Sequence, residues 1–360
     1  MHAALTARPA RAKLGATCCE SASVDVAALR NLITDVPGVR VGHAGDARIG
    51  SGVTAIVFDE PATGSIDIRG GGPGTRDTAL LDPAQTVTGI DAIALSGGSA
   101  FGLDAASGVQ AWLYEQGRGL VVKTARVPIV PAAILFDLLN GGDKQWGRYP
   151  PYRELGHAAA AAAGLDFALG SAGAGLGATT VNLKGGIGSA SLERDGIRIG
   201  ALVAVNPAGS VTVGQGPWFW AAPYERDGEY GGQGFPASVP AEALEPITKI
   251  SPRTSTTLAV VATDVALTKA QAKRLAVMAQ AGMTRAIHPV HTPLDGDVVF
   301  AVSTGRQPMV DPVLGLTVLG SLAADCLARA VARGVYEATA LPFTDALPSW
   351  RDLFGGGPRT

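Results

Sequence analysis

Residues 253–264 read RTSTTLAVVATD, and three hydroxyl residues in a row, Ser255, Thr256 and Thr257, stand directly before an apolar run. The run Leu258–Ala262 is short, partly β-branched and reads as a buried strand. Ser and Thr are common at strand starts because their hydroxyls bond nearby backbone groups. The alternative is a nucleophile placed at a strand end, and the rest of the chain has to decide between the two.

Outward from that run, similar strands are expected at 52–58 (GVTAIVF), 92–95, 200–205 (GALVAV) and 298–302 (VVFAV). Helices are expected at 101–116, 131–139, 154–163, behind Thr268 as N-cap, and at 313–336. Strands that are apolar on both faces, mixed with helices, imply an α/β fold whose sheets are covered by helices. The stretch 217–246 is rich in Gly, Pro and aromatics and reads as a long loop ahead of the hydroxyl cluster, where a processed segment fits.

Apolar residues make up 47% of the 360, ample for a packed core, and the net charge of −2 gives no basis for binding nucleic acid or an anionic membrane. The 48 glycines gather in GGGPG (70–74), SGGS (96–99) and GAGLG (173–177), which implies tight turns and close backbone approaches. Three cysteines, Cys18 and Cys19 among them, make neither a disulfide framework nor a zinc site, which fits a reducing, cytoplasmic setting. Residues 1–28 lack the apolar core of a signal peptide and read as a loose tail. A single catalytic domain is expected over 29–345, with 346–360 as a second flexible tail.

Four features carry possible chemistry: the hydroxyl cluster; Asp295-Gly296-Asp297 before an apolar strand; Asn206-Pro207 at the end of another; and Lys184 in a glycine-rich loop. Singly, each has an ordinary reading as a turn, a strand end or a solvated side chain. His288, His291, Asp295 and Asp297 also offer metal-ligand atoms, but Pro289 and Pro293 break the segment and no standard zinc spacing is met. Together, a strand-end Thr, an Asn, a Lys and paired carboxylates can form an acyl-transfer site. The hydroxyl attacks a carbonyl, an amine takes its proton and the amide stabilises the oxyanion.

These stretches, with VPGVRVGHA (36–44), LSGGSAFGLDAASGV (95–109), GAGLGATTVNLKGGIGSAS (173–191) and HPVHTPLDGDVVFAVSTG (288–305), resemble the L-aminopeptidase/D-esterase family. That family includes the β-aminopeptidases and the endo-type 6-aminohexanoate-oligomer hydrolase, and the likeness runs over about 32–340. It implies a layered αββα sandwich resembling the N-terminal-nucleophile hydrolases, and self-cleavage between Ser255 and Thr256. Thr256 would then be the nucleophile and its new α-amine the base, since such an amine has a pKa of ~7.7–8.0. By the same resemblance Asn206 matches the oxyanion Asn, Lys184 a Lys near the nucleophile, and Asp295 and Asp297 paired carboxylates; two apart before a strand, the two aspartates are expected to face one side and hold the new ammonium. Ser99 and Phe101 fall in the substrate pocket, where Phe101 replaces a Tyr of the nylon-oligomer enzyme. Ser255 replaces a Gly or Asn before the cut. The resemblance calls for neither metal nor cofactor, for a small peptide or amide substrate, and for a homo-oligomer of processed heterodimers. An acyltransferase related to ornithine acetyltransferase, or a non-processing binding protein of the same fold, are the alternatives.

Overall fold

The computed structural model describes residues 29–249 and 255–355; the expected tail at 1–28 lies outside them. The first half of the chain forms β1 (Val39–Asp46), β2 (Ser51–Ile68), β3 (Thr75–Arg76), β4 (Ile90–Ser96) and α1 (Ala105–Glu115). A hairpin of β5 (Leu120–Val122) and β6 (Ala125–Val127), then β7 (Ala132–Ile134) and α2 (Tyr152–Ala161), follow. The second half contains β8 (Gly186–Arg194), β9 (Ile197–Val205), α3 (Ala241–Leu244), β10 (Leu258–Val265), α4 (Lys269–Ala286), β11 (Val298–Gln307), α5 (Leu314–Tyr336) and α6 (Trp350–Phe354).

The strands run in the order β3-β7-β4-β2-β11-β10-β9-β8, with β1 paired to β2. The long β2 serves two sheets: its first half pairs with β1 and β4, and Thr63–Ile68 pair with β11. Alternation along β10 shows the layering. Leu258, Val260 and Ala262 share a core with Ile56, Ile93 and Leu95 of the other sheet, whereas Ala259 and Val261 pack with α4 and α5 residues such as Ala279 and Leu327. On the far side Val53, Ala55, Ala92 and Ala94 pack under α1 and α2. Helices, sheet, sheet and helices thus form four layers around three apolar seams, the αββα sandwich expected.

Local rules account for several elements. Thr268 caps α4 through its hydroxyl, which accepts from Gln271 N at 3.2 Å, and Gln271 Oε1 accepts from Thr268 N at 2.8 Å. α5 is long and apolar enough to cross a membrane, but Leu319, Ala323, Leu327, Val331 and Val335, four residues apart, are all buried in the core.

Three expectations need correction. The helix at 131–139 is absent: Ala132–Ile134 form β7, parallel to β4. Pro128 and Pro131 lack amide donors and push their predecessors toward extended backbone, which outweighs the local Ala preference. The glycine loop ending at 191 instead starts β8, because α5 lies directly on it; a Cβ on Gly188 would meet Ala330 O at 1.8 Å. The C-terminal tail is ordered to α6, where Trp350 is buried, stacks on Phe219 and donates Nε1–H to Pro217 O at 3.0 Å.

Candidate active site

Strand ends build the site. β10 and β11 are parallel with Leu258 opposite Val298, so the residues just before each strand are neighbours. β9 runs antiparallel to β10 and ends at the same edge, and β2 runs antiparallel to β11 and ends there too. Ser255–Thr257, Asp295–Asp297, Asn206–Ala208 and the glycine loop at 70–74 therefore meet, and a bridge between Ser255 and Asp295 continues the parallel ladder.

At the centre, Thr256 Oγ1 donates to the carbonyl oxygen of Ser255 at 2.5 Å. The same carbonyl accepts the backbone N–H of Gly296 at 3.1 Å, and Thr256 N–H donates to Asn206 O at 2.8 Å. The nucleophile candidate is thus held against the peptide bond before it, and that bond's oxygen already has a backbone donor. Gly296 can approach only because it lacks a Cβ, which would stand 2.7 Å from Thr256 Oγ1 and 2.8 Å from Gly72 O. The other two hydroxyls do not serve the backbone: Ser255 Oγ and Thr257 Oγ1 are buried without a hydrogen bond among the described residues. Ordinary strand-start bonding therefore does not explain this cluster.

Asn206 lies one residue past β9. Its Oδ1 accepts from Thr179 N at 3.0 Å and Lys249 Nζ at 3.1 Å, and its Nδ2 donates to Phe136 O at 3.1 Å. A backbone N–H can only donate, so the Thr179 bond fixes which end of the amide is oxygen.

Both carboxylates are fully buried and bound mainly by backbone donors. Asp295 Oδ1 accepts from Ala208 N at 2.9 Å, and its Oδ2 from Thr292 N at 2.9 Å and Thr292 Oγ1 at 2.7 Å. Asp297 Oδ1 accepts from Thr257 N at 2.7 Å, and its Oδ2 meets the backbone N of His291 at 3.1 Å and its ring Nδ1 at 3.0 Å. Burial, then the neighbouring Asp297 charge, push the Asp295 carboxyl up. His288 turns elsewhere: its Nε2 meets Leu244 O at 3.1 Å and its ring faces Trp220.

The resemblance puts Lys184 near the nucleophile; its hydrogen bonds go to backbone carbonyls. Its fully buried Nζ donates to Gly175 O at 3.0 Å, Ala178 O at 2.9 Å and Gly185 O at 2.7 Å, with no hydrogen bond to residues 255–257 among the described residues. Burial pulls its amine down to about 7, opposed by Asp137 and aided by Lys249. Asp137, which the sequence reading missed inside its assumed helix, accepts from Ser51 Oγ at 2.6 Å and Gly98 N at 2.7 Å. Burial pushes its carboxyl up. Phe136, Asp137, Asn140, Thr179, Lys184 and Lys249 line part of a cavity of about 240 Å³ beside Asn206. Ser99 N donates to Leu135 O at 2.9 Å, and Phe101, half-exposed, packs its ring on Trp146; neither hydrogen-bonds Thr256 among the described residues. Lys249 and the Gly296 N–H were also missed, and His291, considered only as a metal ligand, bonds Asp297 instead. A lone Lys in a loop and a backbone amide leave no sequence signal, though the glycines at 70–74 hinted at a close approach.

Residues 31–347 match peptidase family S58. An uncharacterized aminopeptidase of Mycobacterium bovis is 42% identical over 349 residues, covering 91% of this chain and 98% of the relative. A 6-aminohexanoate-oligomer endohydrolase of Kocuria sp. is 30% identical over 288 residues, covering 75% of this chain and 74% of that enzyme. Among solved structures, a Burkholderia sp. β-aminopeptidase superposes with a TM-score of 0.66 at 24% identity, over 89% of this chain and 90% of the other. The L-aminopeptidase D-Ala-esterase/amidase of Ochrobactrum anthropi, described as a variant of the Ntn hydrolase fold, gives 0.64 at 21%, over 90% and 94%. The chain belongs to peptidase family S58, the L-aminopeptidase/D-esterase family, and is a hydrolase of peptide or amide bonds.

Proposed function

We propose that this chain cleaves itself between Ser255 and Thr256 and then hydrolyses short peptides or amino-acid amides with Thr256 as N-terminal nucleophile. The observation that carries the reading is the Thr256 hydroxyl 2.5 Å from the Ser255 carbonyl oxygen, which Gly296 N–H also contacts. Attack of Oγ1 on the Ser255 carbonyl carbon forms a C–O bond, and the oxyanion draws on the Gly296 N–H. Collapse breaks the C–N bond and passes a proton to nitrogen, which leaves an ester and a free Thr256 amine. Water then hydrolyses the ester to a Ser255 carboxylate and restores the hydroxyl.

In turnover the new amine, with an ordinary pKa of ~7.7–8.0, takes the hydroxyl proton as Oγ1 attacks the substrate amide. The leaving amine departs with that proton, and water releases the acyl group. Asn206 supports the oxyanion, and the buried carboxylates hold the strand ends and the new ammonium. This chemistry needs no cofactor, because hydroxyl and amine come from one residue. The oligomer-hydrolysing relative extends the substrate class to linear amides such as ω-amino-acid oligomers. We place the enzyme in the cytoplasm as a homo-oligomer of processed heterodimers.

A denaturing gel with N-terminal sequencing tests the reading. Purified protein should give two bands, the smaller beginning Thr-Thr-Leu-Ala. Thr256→Ala should stay one chain and lose activity. Cleavage at this bond in Thr256→Ala would sink the assignment.

A further inference from the structure

Among the described residues, the side chain of Lys249 pins the linker that leads to the scissile bond to the active site. Lys249 N–H donates to Ala208 O at 3.1 Å, and its Nζ donates to Thr179 O at 2.8 Å and Asn206 Oδ1 at 3.1 Å. Beyond the cut, Thr256 N–H donates to Asn206 O, and Ala208 N–H donates to Asp295 Oδ1. The short turn 206–208 is therefore held from the upstream side by Lys249 and from the downstream side by Thr256 and Asp295. Upstream of Lys249, Ala243 is buried but Leu244 and Ile247 are exposed, and the Leu244 carbonyl meets His288 Nε2. Among the described residues of the linker, Lys249 is the one whose side chain bonds Asn206.

We propose that Lys249 is a positioning residue for self-cleavage, orienting the Asn206 amide and holding the upstream chain in register until the bond breaks. The proposal rests on the reading of Thr256 and Asn206 given above. One Nζ–H goes to Thr179 O; the other, with Thr179 N–H, fills both acceptor positions of Asn206 Oδ1, which keeps Nδ2 at the opposite end of the amide. Burial pulls this amine down to about 7 with Asp295 opposing, and a neutral amine carries the two N–H bonds the site uses. The residue lies before the cut, so its anchoring acts on the intact chain.

Cell-free synthesis followed on denaturing gels gives the processing rate of the full chain. Lys249→Ala should slow it by about tenfold or more, as expected for losing two hydrogen bonds to the site. The missing atoms correspond to n-propylamine, and the lining of the adjacent cavity by Lys249 leaves room for it. Added n-propylamine should restore processing, whereas n-propanol of the same size should not. Lys249→Met keeps the volume without the donors and should be as slow as Lys249→Ala, with a wild-type unfolding transition. Either variant at the wild-type rate, rescue by propanol equal to that by propylamine, no rescue by the amine, or unfolding of both variants overturns the proposal. If the wild type cuts at Thr256 while Lys249→Met keeps pace, only Lys249 is removed and the nucleophile assignment stands. If the wild type never cuts there, both fall.

Discussion

Asp297 is fully buried and each of its oxygens already faces an N–H, from Thr257 and from His291. In Asp297→Asn one oxygen becomes an NH₂ pointed at a donor. The change should cost roughly 1–3 kcal/mol, the range for a buried polar group left unsatisfied, without abolishing the fold. It should also cut turnover at least about tenfold, because Thr257 N–H is anchored by this carboxylate next to the nucleophile. Thermal unfolding and a peptide-amide assay read the two effects, and wild-type turnover would remove Asp297 from the machinery. Lys184 gives a pH test. Burial lowers its amine from 10.5 to about 7, and Asp137 and Lys249 are the charged groups that face it. Between those values the unfolded chain binds the extra proton, so this residue makes stability rise with pH across that window, and its cost is complete below about 7. In a Thr256→Ala background, Lys184→Met should therefore compare best with its parent below pH 7 and lose that advantage toward pH 10. Melting temperatures from pH 6 to pH 10 check the sign.

Elements meet here at distances set by missing side chains. α5 presses its backbone onto β8, and at Gly188 a Cβ would stand 1.8 Å from Ala330 O and 2.6 Å from Gly334 N. Neither contact is the end of a flexible chain, so α5 must lift from the sheet to accept one. Its neighbours Leu327 and Val331 fill the seam against β9 and β10, and lifting would open that packing. Gly188→Ala should cost about 1–3 kcal/mol or more by overpacking. Denaturant unfolding in the uncut Thr256→Ala background measures it, and an unchanged midpoint would show that α5 can shift freely.

The proposed cut divides the molecule along an interleaved sheet. β10 and β11, downstream of Thr256, sit between β9 and β2, which are upstream. Each half therefore completes the other's hydrogen-bond ladders, and α4 and α5 cover the strands from one side. Every residue of β10 is buried, and separating the halves would expose all of them to water. The two fragments should comigrate in size exclusion and unfold in one transition, although no bond joins them. Fragments that part under native conditions would contradict this topology.

The sequence by itself determined the elements whose cause is local. Short continuous apolar runs marked β4, β9, β10 and β11, the Thr268 cap marked the start of α4, and apolar helical spacing marked α5. The hydroxyls at 255–257, Asn206 and the two aspartates were legible because each stands at the end of such a run. Tertiary structure alone decided what those ends face. The parallel register of Leu258 on Val298 brings Gly296 N–H to the Ser255 carbonyl, and the antiparallel return of β9 brings Asn206 to Thr256. It also turned 132–134 into a strand beside β4 and placed Lys249 on Asn206. These partners lie far apart in the chain, and only the sheet's hydrogen-bond register, which no local periodicity encodes, sets which of them meet.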